Sequence, residues 1–197
     1  MKRLLTNELT RVAVNNQPIL GVDIDNVINN MQQVILQVIK KKLGKSVEPE
    51  VYDIFKKLNM NDSQKYHFLE DNWSIIMEKI QPQWRVSFFL NKLKDKYKII
   101  LITAQPYEIA EITVNWLKKY HINYDDIRFN AGDKVAACKF FKVEYMIDDS
   151  PWNLRKLNKE QVKTLIFNQP YNQNVSETEF ATRVYSWDDI YQKLMLE

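Results

Sequence analysis

The 197-residue chain is poor in several things that would mark other classes of protein. It holds a single cysteine, Cys138. No internal disulfide is therefore available, and nothing recommends an oxidising compartment. With no partner thiol, Cys138 reads as a small apolar core residue. Only three glycines are present, so no glycine-rich loop exists to wrap backbone amides around a phosphate, which disfavours P-loop and dinucleotide-fingerprint proteins. No stretch approaches the ~20 apolar residues of a membrane span. The basic residues 1–5 lead into Thr6, Asn7, Glu8 and Arg11 rather than into the apolar run of a signal peptide. Nor does one sign of charge dominate: 28 basic against 25 acidic residues leave +3, too balanced to favour a nucleic-acid polymer or a membrane as partner. His67 and His121 are isolated and make no zinc site. The expectation is a cytoplasmic protein that binds something small. A homodimer is allowed for.

Hydrophobic residues make up 45% of the chain, enough for a core. Residues 1–17 read as an N-terminal extension. The run 19–24 is short, apolar and β-branched, the pattern of a buried strand. Val34, Ile35, Val38 and Ile39 then share one face of a helix, with Gly44 as its stop. From 46 to 83 no strand is legible. Leu69, Trp73, Ile76, Met77 and Ile80 lie on one helical face, with Asn61 or Asp62 as the cap. Residues 31–83 read as a helical insertion, the alternative being that they belong to the main domain. Beyond 84 the pattern alternates: helix 85–94, strand 99–102, a helix from Pro106 with Ile109, Ile112, Trp116 and Leu117 on one side, strand 127–129, a helix capped by Asp133, strand 145–147, a helix from Pro151, strand 165–167 and a closing helix from Asp188. Alternating strands and helices predict an α/β fold, Rossmann-like, with a mostly parallel sheet flanked by helices.

In such sheets ligands bind at the carboxyl ends of the strands. Asp23 and Asp25 follow the first strand, Thr103, Ala104 and Gln105 the second, and Asp148 and Asp149 the fourth. Lys134 opens the helix before that fourth strand. Each fragment alone is weak, since Asp and Thr favour turns and caps anyway. Their joint occurrence after successive buried strands is not readily accidental. The chemistry fits: clustered carboxylates need a cation between them, and all-oxygen ligation suits Mg²⁺. An ionised Asp23 can attack phosphorus. Asp25 can protonate the leaving oxygen. Thr103 and Lys134 can hold phosphoryl oxygens. Lys139 and Lys142 lie closer to Asp148 in sequence, and Lys139 is kept as an alternative to Lys134.

These residues resemble the four motifs of the haloacid-dehalogenase superfamily. GVDIDNVINN, ITAQP, WLKKYHINYDDIRF, GDKVAACKFFKVEYMIDDSP, FNQPYN and RVYSWDDI resemble one branch of it, the 5′-nucleotidase, deoxy-pyrimidine, cytosolic type C family with its bacterial nucleotidases, over about 19–194. The resemblance implies a core of 18–30 and 84–197 and a small helical cap, 31–83, inserted after the first strand. It implies Asp23 as nucleophile forming an aspartyl-phosphate, and Asp25 as general acid and then base. Mg²⁺ would be held by Asp23, the Asp25 backbone carbonyl and Asp148, with Asp149 behind them. Thr103, Ala104 and Lys134 would bind phosphate. The substrate implied is a nucleoside 5′-monophosphate, with a deoxy preference. Among cap aromatics, Phe68 and Trp73 are the candidates to meet a base, while Trp116, Trp152 and Trp187 read as packing. Two features depart from the family: Gln105 stands where an Arg is common, and residues before the second strand lack a small Gly-Ala pair. The rival readings are a phosphatase of another small metabolite such as a sugar phosphate, and a non-catalytic binding or regulatory module. A phosphoacceptor signalling domain would not explain the long insertion or Asp25.

Overall fold

A computed structural model describes residues 17–196; the extension 1–17 lies outside the described residues except for Gln17. Six strands form one parallel sheet: β1 (Ile19–Val22), β2 (Lys98–Ile102), β3 (Asp126–Arg128), β4 (Val143–Asp148), β5 (Thr164–Phe167) and β6 (Ala181–Val184), in the order β3-β2-β1-β4-β5-β6. Eight α-helices accompany them: α1 (Met31–Leu43), α2 (Ile54–Lys57), α3 (Asp62–Lys79), α4 (Val86–Leu93), α5 (Ala110–Lys119), α6 (Lys134–Phe141), α7 (Pro151–Lys159) and α8 (Trp187–Leu196).

The central strands are apolar throughout because both faces of the sheet are covered. Leu20, Val22, Ile99, Leu101, Ile147 and Leu165 share one core with Leu90 and Leu93 of α4 and with Trp187 and Ile190 of α8. The alternate residues Ile100, Ile102 and Met146 point the other way, into a second core with Cys138 of α6 and Leu157 of α7. Burial there pushes the Cys138 thiol up to about 12, so it stays a thiol. Gly21 sits where strands crowd: a Cβ would come 2.8 Å from the Met146 sulfur and 3.1 Å from Ile102.

Local signals place most helix ends. Gly44 closes α1 at φ +66° with its N–H on the Lys40 carbonyl. Asn61 and Gln64 form a reciprocal capping box at the start of α3. Asp133 caps α6, and Ser150 with Pro151 opens α7.

Four expectations shift. The first strand ends at Val22, not Ile24; the chain turns at once and Ile24 is buried within the turn. The third strand is one residue earlier than expected. A short 3₁₀ turn, Tyr107–Ile109, precedes α5, and Ile112 ends up 42% exposed while Thr113 is buried in its place. β6 was not expected, because Ala181–Val184 at the sheet edge is only half apolar.

Between β1 and α4 the described residues contain α1, α2 and α3 and no sheet strand. The two ends of this segment are tied by an isolated bridge, Asn29 to Pro82, and by the Gln83 N–H on the Ile28 carbonyl. Val38, Ile39, Ile76 and Ile80 belong to the same apolar cluster as β1 and β2, so the segment packs onto the sheet domain.

Candidate active site

The sheet order sets the location. From β1 the chain builds outward through β2 to β3, then returns to lay β4 on the other side of β1. The crevice at such a reversal is where doubly wound sheets bind ligands. Val22 pairs with Ile147, and the Asp23 N–H donates to the Ile147 carbonyl at 3.0 Å. Asp23 and Asp148 are therefore brought side by side, although 125 positions separate them in the chain.

All three acids at this point are buried: Asp23 is 7% exposed, Asp148 0% and Asp149 3%. One oxygen from each lies within 4.8 Å of the others, the only such group among the described residues. Asp23 Oδ1 accepts from the Ile24 N–H at 2.8 Å and from Lys134 Nζ at 2.9 Å. Lys134 also donates to the Ile102 carbonyl and stands 4.0 Å from Asp148. Asp148 accepts from the Ser150 N–H at 2.8 Å and from Asn153. Asp149 accepts from Asn26 at 3.3 Å and from the Tyr171 hydroxyl. Tyr171 in turn packs at 5.4 Å on Tyr52, whose hydroxyl bonds Ser150 at 2.7 Å.

Burial, and then the Asp23 charge, push Asp148 up to about 7; burial and the Asp148 charge raise Asp149 well above the ordinary range. Three buried carboxylates around one lysine are short of positive charge. An all-oxygen, anionic donor set of this kind fits a hard divalent cation such as Mg²⁺.

Asn26 adopts the left-handed conformation at φ 61°, one that Asn tolerates, in the turn that follows β1. Asp25 Oδ1 accepts from Gln105 Nε2 at 2.8 Å and from Asn29 Nδ2 at 3.3 Å. Burial and the Asp23 charge raise this carboxyl to about 6. Thr103 is fully buried; its Oγ1 accepts the Gln105 N–H at 3.1 Å, which leaves the hydroxyl proton free to donate. Ala104 is exposed and lines the adjoining cavity.

That cavity, about 500 Å³, runs from Asp25, Ala104 and Gln105 to Trp73, Tyr52 and Trp152, with Lys65 at its wall. Of the two aromatic candidates, Trp73 lines it. Phe68 does not: it is buried edge-on against Phe55 at 5.9 Å. Trp152, read from the sequence as packing, is instead 66% exposed at this cavity, because α7 starts directly behind the acids. Trp116 and Trp187 do pack, each donating its indole N–H to a backbone carbonyl. Lys139, the alternative to Lys134, pairs with Glu160 at 2.6 Å on the surface.

Sequence reasoning passed over Tyr52, Asn29, Asn153 and the role of Tyr171. Tyr171 lies in the FNQPYN segment that carried the resemblance, and Asn153 lies five residues past Asp148; Tyr52 leaves no signal, since only folding brings 45–53 against Ser150.

The model of the family described as 5′ nucleotidase, deoxy (Pyrimidine), cytosolic type C protein matches residues 17–197. The Bacillus subtilis protein "Putative nucleotidase YqfW" is 28% identical over 178 residues, covering 88% of this chain and 91% of its own. A 5′(3′)-deoxyribonucleotidase of Clostridium acetobutylicum is 25% identical over 192 residues, covering 87% and 92%. Among solved structures, the haloacid dehalogenase-like hydrolase SP0104 of Streptococcus pneumoniae superposes with a TM-score of 0.65 at 12% identity, over 91% of this chain and 99% of that one.

Proposed function

The chain belongs to the 5′ nucleotidase, deoxy (pyrimidine), cytosolic type C family of haloacid-dehalogenase-type phosphomonoesterases, and on that premise we propose that it hydrolyses nucleoside 5′-monophosphates, with a preference for deoxynucleotides, through an aspartyl-phosphate on Asp23. The observation that carries the reading is the meeting of Asp23, Asp148, Asp149 and Lys134 two residues from Asp25, which itself lines a cavity of about 500 Å³ walled by Trp73, Tyr52 and Trp152. That size lies within the range of small-molecule sites, and aromatic walls suit a planar base.

Mg²⁺, held by Asp23, the Asp25 backbone carbonyl and Asp148 with Asp149 beside them, would offset the charge of the acids and of the phosphoryl oxygens. The Asp23 carboxylate attacks phosphorus as the bond to the ester oxygen breaks. Asp25 gives that oxygen its proton; in the metal-free protein burial and the Asp23 charge raise its carboxyl above the ordinary range. Lys134, the Thr103 hydroxyl and the backbone beside Ala104 hold the phosphoryl oxygens where charge builds up. Asp25, now a carboxylate, takes a proton from water, which attacks phosphorus and frees Asp23 and inorganic phosphate. The insertion 31–83 acts as the cap that supplies Trp73 and Tyr52, and the activity is a cytosolic one, a reading supported by the description of the family.

The test is phosphate release from a panel of ribo- and deoxynucleoside monophosphates and sugar phosphates, in Mg²⁺ and in EDTA, for wild type and Asp23→Asn. Release from deoxynucleotides, dependent on Mg²⁺ and absent in the variant, is expected. Release mainly from sugar phosphates would overturn the substrate assignment and leave the mechanism. A folded protein that releases phosphate from nothing would overturn both.

A further inference from the structure

Gln105 and Thr113 make a buried chain of hydrogen bonds ending on Asp25. Thr113 is 1% exposed and Gln105 5%. The Thr113 hydroxyl donates to Gln105 Oε1 at 2.6 Å, and Gln105 Nε2 donates to Asp25 Oδ1 at 2.8 Å. Each bond fixes the next. A side-chain amide has one accepting and one donating end, and turning it over reverses its bonding. Thr113 holds the accepting end, so the donating end must face Asp25. Without the Thr113 hydroxyl, Gln105 Oε1 would be buried unpaired, and the amide would be free to turn its oxygen toward the carboxyl. Thr113 owes its place to the register of α5, which turns it inward beside Trp116 and Leu117.

The two oxygens of Asp25 are not equivalent in this arrangement. Oδ1 accepts from both Gln105 and Asn29. Oδ2 has no hydrogen bond within the described residues, and Asp25 lines the cavity. An oxygen accepting two N–H groups is a poor place for a proton; the free one is a good place.

We propose that Thr113 and Gln105 are positioning residues that clamp Asp25 through Oδ1, so that Oδ2 is the oxygen that carries the proton to and from the reacting ester. The proposal rests on the phosphatase reading above. It goes beyond that reading by assigning an acid–base oxygen and two residues that act on the reaction through Asp25.

The experiment compares kcat/KM for a deoxynucleoside monophosphate and for p-nitrophenyl phosphate. The first has an alkoxide leaving group that needs a proton; the second leaves without one. In wild type, Asp25→Asn provides the reference loss, on the order of 10²-fold or more for the nucleotide and far less for the aryl ester. Thr113→Val, close in shape, is expected to lower kcat/KM for the nucleotide roughly tenfold while changing the aryl ester less than about twofold, a part of the general-acid contribution. Thr113→Ser, which restores the hydroxyl, is expected to recover most of the loss. Gln105→Met should resemble Thr113→Val. Equal losses on both substrates, or none on either, would overturn the proposal while Asp25→Asn still discriminates between them. If Asp25→Asn itself does not discriminate, the acid–base reading falls and takes the clamp with it. A crystal structure of Thr113→Val decides independently of activity: an Asp25 carboxyl unmoved would overturn the clamp, and a displaced carboxyl would support it.

Discussion

Replacing Lys134 with methionine should expose how the acidic site is balanced. The side chain is 1% exposed, 2.9 Å from Asp23 and 4.0 Å from Asp148. At an effective dielectric of 20, a pair 4 Å apart is attracted by about 4 kcal/mol, and the Asp23 pair lies closer. Methionine keeps most of the length of the side chain and avoids burying an ammonium, which returns part of that. Removing one partner of a buried pair costs about 3–5 kcal/mol in sum, because the remaining charge is left uncompensated. For a chain of this size each kcal/mol moves Tm by about 2–4 °C, so metal-free Lys134→Met should melt roughly 10 °C lower at pH 8. The loss should shrink at pH 5. Asp25 and Asp148 already sit at about 6 and about 7, against an ordinary 3.8, and without the lysine they rise further. They then take up protons instead of remaining as unpaired charges. The assay is thermal unfolding in EDTA at both pH values. A Tm within about 2 °C of wild type at pH 8, or an equal loss at pH 5, would refute the argument that Lys134 is the main counter-charge.

The same acids set the pH dependence of the metal-free wild type. Raised carboxyls bind protons more tightly folded than unfolded, so the stability this adds is fully present below about pH 4 and lost as pH rises through 6 to 7; urea unfolding in EDTA between pH 4 and 8 should show the decline. Mg²⁺ should therefore raise Tm more at pH 8 than at pH 5.5, and Asp148→Asn should raise the metal-free Tm at pH 8 while abolishing the Mg²⁺ response, as read by differential scanning fluorimetry. Gly21→Ala should cost about 1–3 kcal/mol by chemical denaturation, since its Cβ would meet the Met146 sulfur at 2.8 Å in the middle of the sheet. Trp152→Ala should raise KM for nucleotides several-fold with little change in Tm, because this tryptophan is 66% exposed beside the cavity; an unchanged KM would remove it from the substrate's path.

Much of this architecture is written in short-range chemistry. The apolar run after Pro18, the cap residues Asn61, Asp133 and Ser150, the stop at Gly44 and the proline at the start of α7 act within a turn or two of themselves, so they can be read one segment at a time. The positions of Asp23, Thr103 and Asp148 at the ends of apolar strands were legible for the same reason, since a parallel sheet puts all its strand ends on one edge. Tertiary structure decided the rest. Lys134 and Lys139 are five residues apart, about 140° around a helix; only the docking of α6 against the sheet sends one into the acids and the other to Glu160 on the surface. Residues 112 and 113 compete for one inward position of α5, and the register that buries Trp116 and Leu117 gives it to threonine, which meets Gln105 there. Trp152 faces the cavity and Phe68 the core because of where α7 and α3 sit, which hydrophobicity alone does not distinguish. β6 pairs only because β5 offers it an edge. Periodicity and caps are properties of neighbours in sequence. Which face turns to which partner is a property of groups a hundred residues apart, and it exists only once the chain has closed around them.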